Sequence, residues 1–298
     1  MKPLGSNQAS PTLSSGTGPD GVDVPDSFVD LEINTFWPEA LRDFGIPASS
    51  SLASASTVVE GLPIHCRIAT DVGGIPFVLI HGLVISSLYM IPLAEHLARR
   101  HPVYALDLPG FGRSEGPVRI LSIPALADAV LAWMSASGIE RCHIAANSMG
   151  CEVAAHIAVK CPTRVVSMTL VGPTLDPDAF GVVAQTTRLI WDALHEPIRL
   201  SVNWVVDFFR AGIRRSLGTT REMFLSHIED HLPHVTAPVL VMRGEHDPTV
   251  PKRAAEKMAG LLPHSTLLHI EGHWHCAHYT APGLVSDAIE QFLAQGSG

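Results

Sequence analysis

Ser148, Asp247 and His273 are the residues of this chain whose types can together activate a hydroxyl group. A serine hydroxyl is a poor nucleophile at neutral pH and needs a base to take its proton. An imidazole titrates near the working pH, and a carboxylate can hold its tautomer and stabilise the imidazolium. Ser148 stands where an apolar run, Cys142 to Ala146, stops and a small-residue helical pattern, Met149 to Ala155, begins at once. A strand that becomes a helix through one serine must bend tightly, and the bend exposes Oγ above the sheet edge. Such a bend needs small residues two before and two after the serine. Here these are Ala146 and Gly150, so the pattern is Ala-x-Ser-x-Gly. Attack on a carbonyl also creates an oxyanion that needs donors. The N–H of Met149, just after the serine, is one, and the N–H of Leu83, just after His81-Gly82, is the second. Each such donor lowers a barrier by about 3 kcal/mol. By itself the five-residue pattern also fits a serine at an ordinary helix N-cap. The neighbouring elements decide between the two.

From Thr57 the hydrophobic pattern is regular. Thr57–Glu60 and Leu62–Ala69 flank Gly61 and predict a hairpin. Strands are expected at Phe77–Ile80, Val103–Leu106, Cys142–Ala146, Val165–Val171, Val239–Met242 and Thr266–Ile270. Helices are expected at Ser87–Arg100, Ile123–Ala136, Met149–Lys160, Lys252–Leu262 and Ala281–Ala294. Apolar strands alternating with helices predict a mostly parallel sheet covered on both faces. In such a sheet ligands bind beyond the carboxyl ends of the strands. His81-Gly82, Ser148, Asp247 and His273 all fall at those ends, which favours a nucleophile over an N-cap.

Composition sets the remaining bounds. The chain has 298 residues, 46% of them hydrophobic, enough for one large α/β domain. Only 16% are charged and the net charge is −9, against the basic face usual for a nucleic-acid partner. No apolar run approaches the roughly 18–20 residues needed to span a bilayer, so no membrane partner is expected. The N-terminus lacks the apolar core of a signal peptide. Five scattered cysteines, Cys66, Cys142, Cys151, Cys161 and Cys276, are expected as reduced thiols of a cytoplasmic protein. Residues 1–56 form an expected N-terminal tail, with a possible docked helix between Phe28 and Pro47 carrying Phe36, Trp37, Leu41 and Phe44.

Beyond Thr57 the chain resembles the α/β-hydrolase fold superfamily. His81-Gly82, Asp107-Leu-Pro-Gly-Phe-Gly, Asn147-Ser148-Met149-Gly150, Gly244-Glu-His-Asp247 and Gly272-His273 carry the resemblance, over about four-fifths of the chain. Ala146 departs from the glycine usual there and adds a methyl group to a crowded turn. The resemblance implies an eight-stranded sheet, with the core at 57–172 and 234–298 and a helical lid at 173–233, after strand 6. It implies Ser148 as nucleophile, His273 as base and Asp247 as acid, with no cofactor. Glu245 shares the Asp247 loop, and some relatives place the acid after strand 6, where Asp176 and Asp178 lie. The Gly-x-x-Asp spacing favours Asp247. The run His273-Trp-His275-Cys276-Ala-His278 suggests a metal site, but zinc needs four well-spaced ligands, and no metal is expected.

The lid segment mixes apolar residues at helical spacing with Arg188, Arg199, Arg210, Arg214 and Arg215. Pockets are mostly apolar with a few oriented polar groups, so a small hydrophobic ester, lactone or ketone is the expected partner. Asn147 and Trp274, beside the nucleophile and the histidine, and Trp204 and Phe208 in the lid are the candidate substrate contacts. The default reading is a serine hydrolase of carboxylic esters or lactones acting through an acyl-enzyme. Asn147-Ser148-Met149-Gly150 and His273-Trp274 also resemble C–C hydrolases of ring-fission products. The loop after His81-Gly82 reads Leu-Val-Ile-Ser-Ser and lacks the glycine-rich, proline-containing sequence typical of those enzymes. A cofactor-free perhydrolase would use the same triad. A ligand-binding receptor on a hydrolase scaffold is the reading from another class; it would not need an intact triad.

Overall fold

Eight strands lie in one sheet in the order β1-β2-β4-β3-β5-β6-β7-β8. The computed structural model describes residues 51–173 and 181–295. The strands are β1 (Ala53–Val59), β2 (Leu62–Ala69), β3 (Phe77–Ile80), β4 (Val103–Leu106), β5 (Cys142–Asn147), β6 (Val165–Val171), β7 (Val239–Gly244) and β8 (Ser265–Ile270). Only β2 runs antiparallel to its neighbours, pairing with β1 and β4. From β4 to β8 every pairing is parallel. The helices outside the insertion are α1 (Ile91–Leu97), α2 (Ile123–Ala136), α3 (Met149–Lys160), α7 (Lys252–Leu261), α8 (Ala277–Thr280) and α9 (Pro282–Gln295). Between β6 and β7 lie α4 (Gly181–Ala193), α5 (Ile198–Ala211) and α6 (Ile213–Leu225). Pro197 precedes α5, and Gly212, at φ +80°, turns the chain into α6.

The central strands read as largely apolar runs because helices cover both of their faces. Alternate residues of β3 divide between two cores, as the two-residue period of a strand requires. Val78 and Ile80 pack with Trp133, Val153 and Ile157 of α2 and α3. Phe77 and Leu79 pack with Leu93, Leu97, Val285 and Ile289 of α1 and α9. Among the described residues no helix is long and apolar enough to cross a membrane. All five cysteines are free thiols.

Several boundaries shift by one to three residues, and two element starts differ by four residues from the sequence expectation. The sheet starts at Ala53 rather than Thr57, because Ala53 to Ser56 continue the antiparallel register with Ile68 to His65. An edge strand buries little, so its polar Ser54 and Ser56 read as linker. The helix expected from Ser87 opens as a 3₁₀ turn, Ser87–Met90, and becomes α-helical from Ile91, next to Pro92. The tail up to residue 50, its helix candidate, and Asp176, Asp178 and Phe180 lie outside the described residues.

Candidate active site

Ser148 joins β5 to α3 with φ +53° and ψ −126°, a conformation that side-chain-bearing residues rarely adopt. Its N–H donates to Val171 O (3.1 Å) at the end of β6. A Cβ on Gly150 would lie 2.5 Å from Ile80 O and 2.7 Å from His81 O, so only glycine lets α3 press against β3. Ala146 is accommodated within the core at 1% exposure. The strand-to-helix bend anticipated from Ala-x-Ser-x-Gly is therefore present.

The loop after β3 stands against this bend. A Cβ on Gly82 would lie 3.2 Å from Ser148 Cβ. His81 braces the loop: Nδ1 donates to Gly82 O (2.8 Å), and Nε2 accepts from the N–H of Leu108 (2.9 Å). That arrangement needs a neutral ring, and burial lowers the His81 pKa accordingly. The O–H of Tyr89 accepts from the Gly82 N–H and donates to Asn147 Oδ1 (2.8 Å). Val84 follows at φ +52°, a left-handed conformation costly for a β-branched residue. The N–H groups of Leu83 and Met149, the two expected oxyanion donors, meet no acceptor among the described residues.

The structure pairs Asp247 with His275, not with His273. His275 Nδ1 lies 2.8 Å from Asp247 Oδ2 and 2.7 Å from Thr249 Oγ1. Asp247 Oδ1 accepts from the N–H groups of Thr249 (2.8 Å) and Val250 (3.0 Å) and from the Thr249 hydroxyl (2.6 Å). An ionised carboxylate so bonded can only accept from Nδ1–H, so in the neutral form of the ring His275 Nε2 carries the lone pair. Among the described residues that nitrogen has no partner, although it is buried. Burial works to raise the Asp247 pKa, but His275 and the bonds from Thr249 and Val250 hold it below the usual range. Burial works to lower that of His275, but the charge and hydrogen bond of Asp247, with Asp192 and Glu196, raise it to about 9.

His273 instead places Nδ1 3.0 Å from Thr280 Oγ1 and is half-buried. The reason is reach. Ser148 follows β5, and β8 is three strands away, or roughly 14 Å at the usual strand spacing. Five residues past β8 span that distance in backbone alone at about 3.3 Å each, whereas three cover about 10 Å of it. Gly244 lets the crossing chain pass, since a Cβ there would lie 2.0 Å from Trp274 O. Gly172, at φ +53°, makes room for the imidazole itself.

The expected substrate contacts fare differently. The Asn147 amide donates to Val171 O (2.9 Å) and toward His275 O (3.4 Å) while accepting from Tyr89, so it joins strands and loop instead of facing a ligand. Trp274 stacks on His195 of the insertion (4.1 Å, 17°). Trp204 lies 44% exposed and leans on Phe208 at 5.5 Å, and Phe208 packs on the main core. Sequence reading missed Asp192 and Glu196 as well: no motif marks them, yet they accept from the N–H groups of His275 (3.1 Å) and Cys276 (2.7 Å). A separate cavity of about 250 Å³, between Ser122–Pro124, His156 and Glu222–His231, contains none of these residues. No group of three or more His, Cys, Asp or Glu among the described residues could hold a metal ion.

Residues 75–220 match the alpha/beta hydrolase fold family, and residues 223–298 match a family described as TAP-like protein. This chain belongs to the α/β-hydrolase fold superfamily. It is 38% identical over 160 residues to the dihydrolipoyllysine-residue acetyltransferase component of the acetoin cleaving system of Cupriavidus necator. That match covers 53% of this chain and 43% of the other, so the similarity spans less than half of that relative. RutD of Variovorax paradoxus, a candidate carbamate hydrolase, is 26% identical over 263 residues, covering 79% of this chain and 98% of RutD. A crystal structure of a bacterial membrane phospholipase A superposes with a TM-score of 0.73 at 23% identity, covering 90% of this chain and 94% of that one. At that identity the likeness concerns the fold alone.

Proposed function

We propose that this protein is a serine hydrolase that cleaves small hydrophobic carboxylic esters or lactones through an acyl-enzyme. The observation that carries the reading is the Asp247–His275 pair, whose Nε2 is unpartnered among the described residues, in a chain that also holds Ser148 in a strained strand-to-helix bend. In the proposed reaction Ser148 Oγ attacks the carbonyl carbon while His275 Nε2 takes its proton. Asp247 stabilises the imidazolium that forms. The oxyanion is held by the N–H groups of Leu83 and Met149, at about 3 kcal/mol each. Collapse expels the alcohol, which takes the proton from Nε2, and water then attacks the acyl-enzyme by the same route. The helices α4 to α6 serve as a lid. Their amphipathic sequences and half-exposed Trp204 and Phe208 support a hydrophobic substrate.

The test is labelling by a fluorophosphonate, then turnover of p-nitrophenyl esters from acetate to dodecanoate. Labelling at Ser148, lost in Ser148→Ala and His275→Ala, is the expected result, with turnover peaking at one chain length. A wild-type protein that resists the probe and hydrolyses no ester overturns the proposal. Cleavage of a vinylogous 1,5-diketone without ester turnover would replace it by C–C hydrolysis.

A further inference from the structure

The loop that carries His275 is held by the insertion through three consecutive residues. Trp274 stacks on His195. The His275 N–H donates to Asp192 Oδ1 (3.1 Å), and the Cys276 N–H donates to Glu196 Oε1 (2.7 Å). Asp192 lies in the last turn of α4 and Glu196 one turn further on, where its N–H donates back to Asp192 O (3.1 Å). Both side chains therefore project from one face of the same turn. They are 5% and 8% exposed, and Glu196 Oε2 has no partner among the described residues.

Accepting two backbone N–H groups does not require an acid. An amide or a water would do so without a buried charge, whose burial is costly. These two acids also lie in the field of a third, Asp247. That cost acts on their pKa values: burial raises Asp192 to about 6 and Glu196 to about 7, with Asp247 adding to each and His275 opposing. What a carboxylate adds over an amide is its charge, and the cation it faces is His275.

Accordingly, and resting on the reading of His275 as the base, we infer that Asp192 and Glu196 are positioning residues for catalysis. They fix the imidazole through its backbone and, from the lid, hold more negative charge behind it. Docking of the lid turn would then set both the place and the basicity of Nε2. The titratable groups around the ring are Asp247 from the β7 loop, Asp192 and Glu196 from the lid turn, and His278 from α8. Burial, with the nearby His275 charge, lowers His278 to about 3, so it stays neutral through the working range. Exposed His195 lies beside Asp192.

Fluorophosphonate labelling of Ser148 between pH 5 and 10 tests this in the full chain, with melting temperature measured alongside. Asp192→Asn and Glu196→Gln keep an acceptor for each N–H and remove the charge. The midpoint of the acid limb should fall by roughly half to one pH unit for each variant, as loss of a nearby opposite charge requires. At pH 8, where both carboxylates are ionised and His275 is still mostly protonated, both variants should thus label faster than wild type, by about two- to fivefold. Asp192→Ala removes the acceptor too, and should label on the order of tenfold more slowly at its plateau, with Asn restoring the rate. A folded Asp192→Asn/Glu196→Gln double variant with the wild-type midpoint overturns the inference while leaving the hydrolase reading intact. A wild-type protein that the probe does not label overturns both.

Discussion

Gly172 is the position where the packing around the histidine is most open to direct attack. It follows β6 at φ +53°, and an added Cβ would stand 2.8 Å from both Cε1 and Nδ1 of His275 and 3.3 Å from Asp247 Oδ2. Ordinary contact begins near 3.4 Å, so the ring must give by about 0.6 Å in Gly172→Ala. The His275 ring is pinned by Asp247 and Thr249, and its backbone by Asp192, so yielding breaks one of those bonds. Two costs follow. The left-handed backbone costs a non-glycine residue about 1–2 kcal/mol of stability. A displacement of 1 Å in a catalytic group can cost about a hundredfold in rate, so this shift should slow fluorophosphonate labelling by about tenfold or more. Gly138→Ala separates the two effects: its φ is +70°, but nothing lies within 4 Å of an added Cβ. That control should melt lower by a similar backbone cost and label at the wild-type rate. If Gly172→Ala labels like wild type, or if Gly138→Ala is slowed equally, the steric reasoning is wrong.

His275→Ala should reduce ester turnover to the level of Ser148→Ala, whereas His273→Ala, losing only a contact with Thr280, should stay within about tenfold of wild type; comparing kcat for the two variants checks the assignment. Because the His275 pKa is raised to about 9, activity should climb with pH through a midpoint above the ordinary 6.5 as Nε2 deprotonates. A pH–rate profile that is flat from 5 to 9, or has its midpoint below 6.5, counts against that base. The same shift has a sign for stability. The Asp247–His275 contribution from the histidine is fully present below pH 6.5 and is lost as pH rises through about 9, which denaturant melts across that window would record. Tyr89→Phe leaves the Gly82 N–H and Asn147 Oδ1 without their partner in a buried site. At about 1–3 kcal/mol for each unsatisfied group, urea melts should show a loss of about 2–6 kcal/mol. An unchanged midpoint would mean that water replaces the hydroxyl.

Much of this protein is legible in its sequence because it depends on local constraints. A short apolar run such as Phe77–Ile80, bounded by Gly73-Gly74 before it and Gly82 after it, reads as a strand buried on both faces. Gly150 and Gly244 are required where backbone meets backbone, and the position of Ser148 at a strand end beside the other reactive residues favours the tight bend over an N-cap. Those features led to the sheet, the insertion after β6, the serine bend and Asp247. The histidine was not legible in the same way. His273 and His275 have the same chemistry and nearly the same place in the sequence, and Gly272-His273 has the look of a motif. Choosing between them depends on how far the chain must travel from β8 to pass β7, and strand order is a property of the sheet. Asp192 and Glu196 were hidden for a related reason: in sequence they are two acids on a surface-type helix, 83 and 80 residues from the N–H groups they meet. Local pattern determined which elements form and which of them carry reactive groups. Only tertiary packing decided which imidazole meets Asp247 and which acids contact its loop, because those pairings are set by distances across the sheet and the insertion that no local spacing encodes.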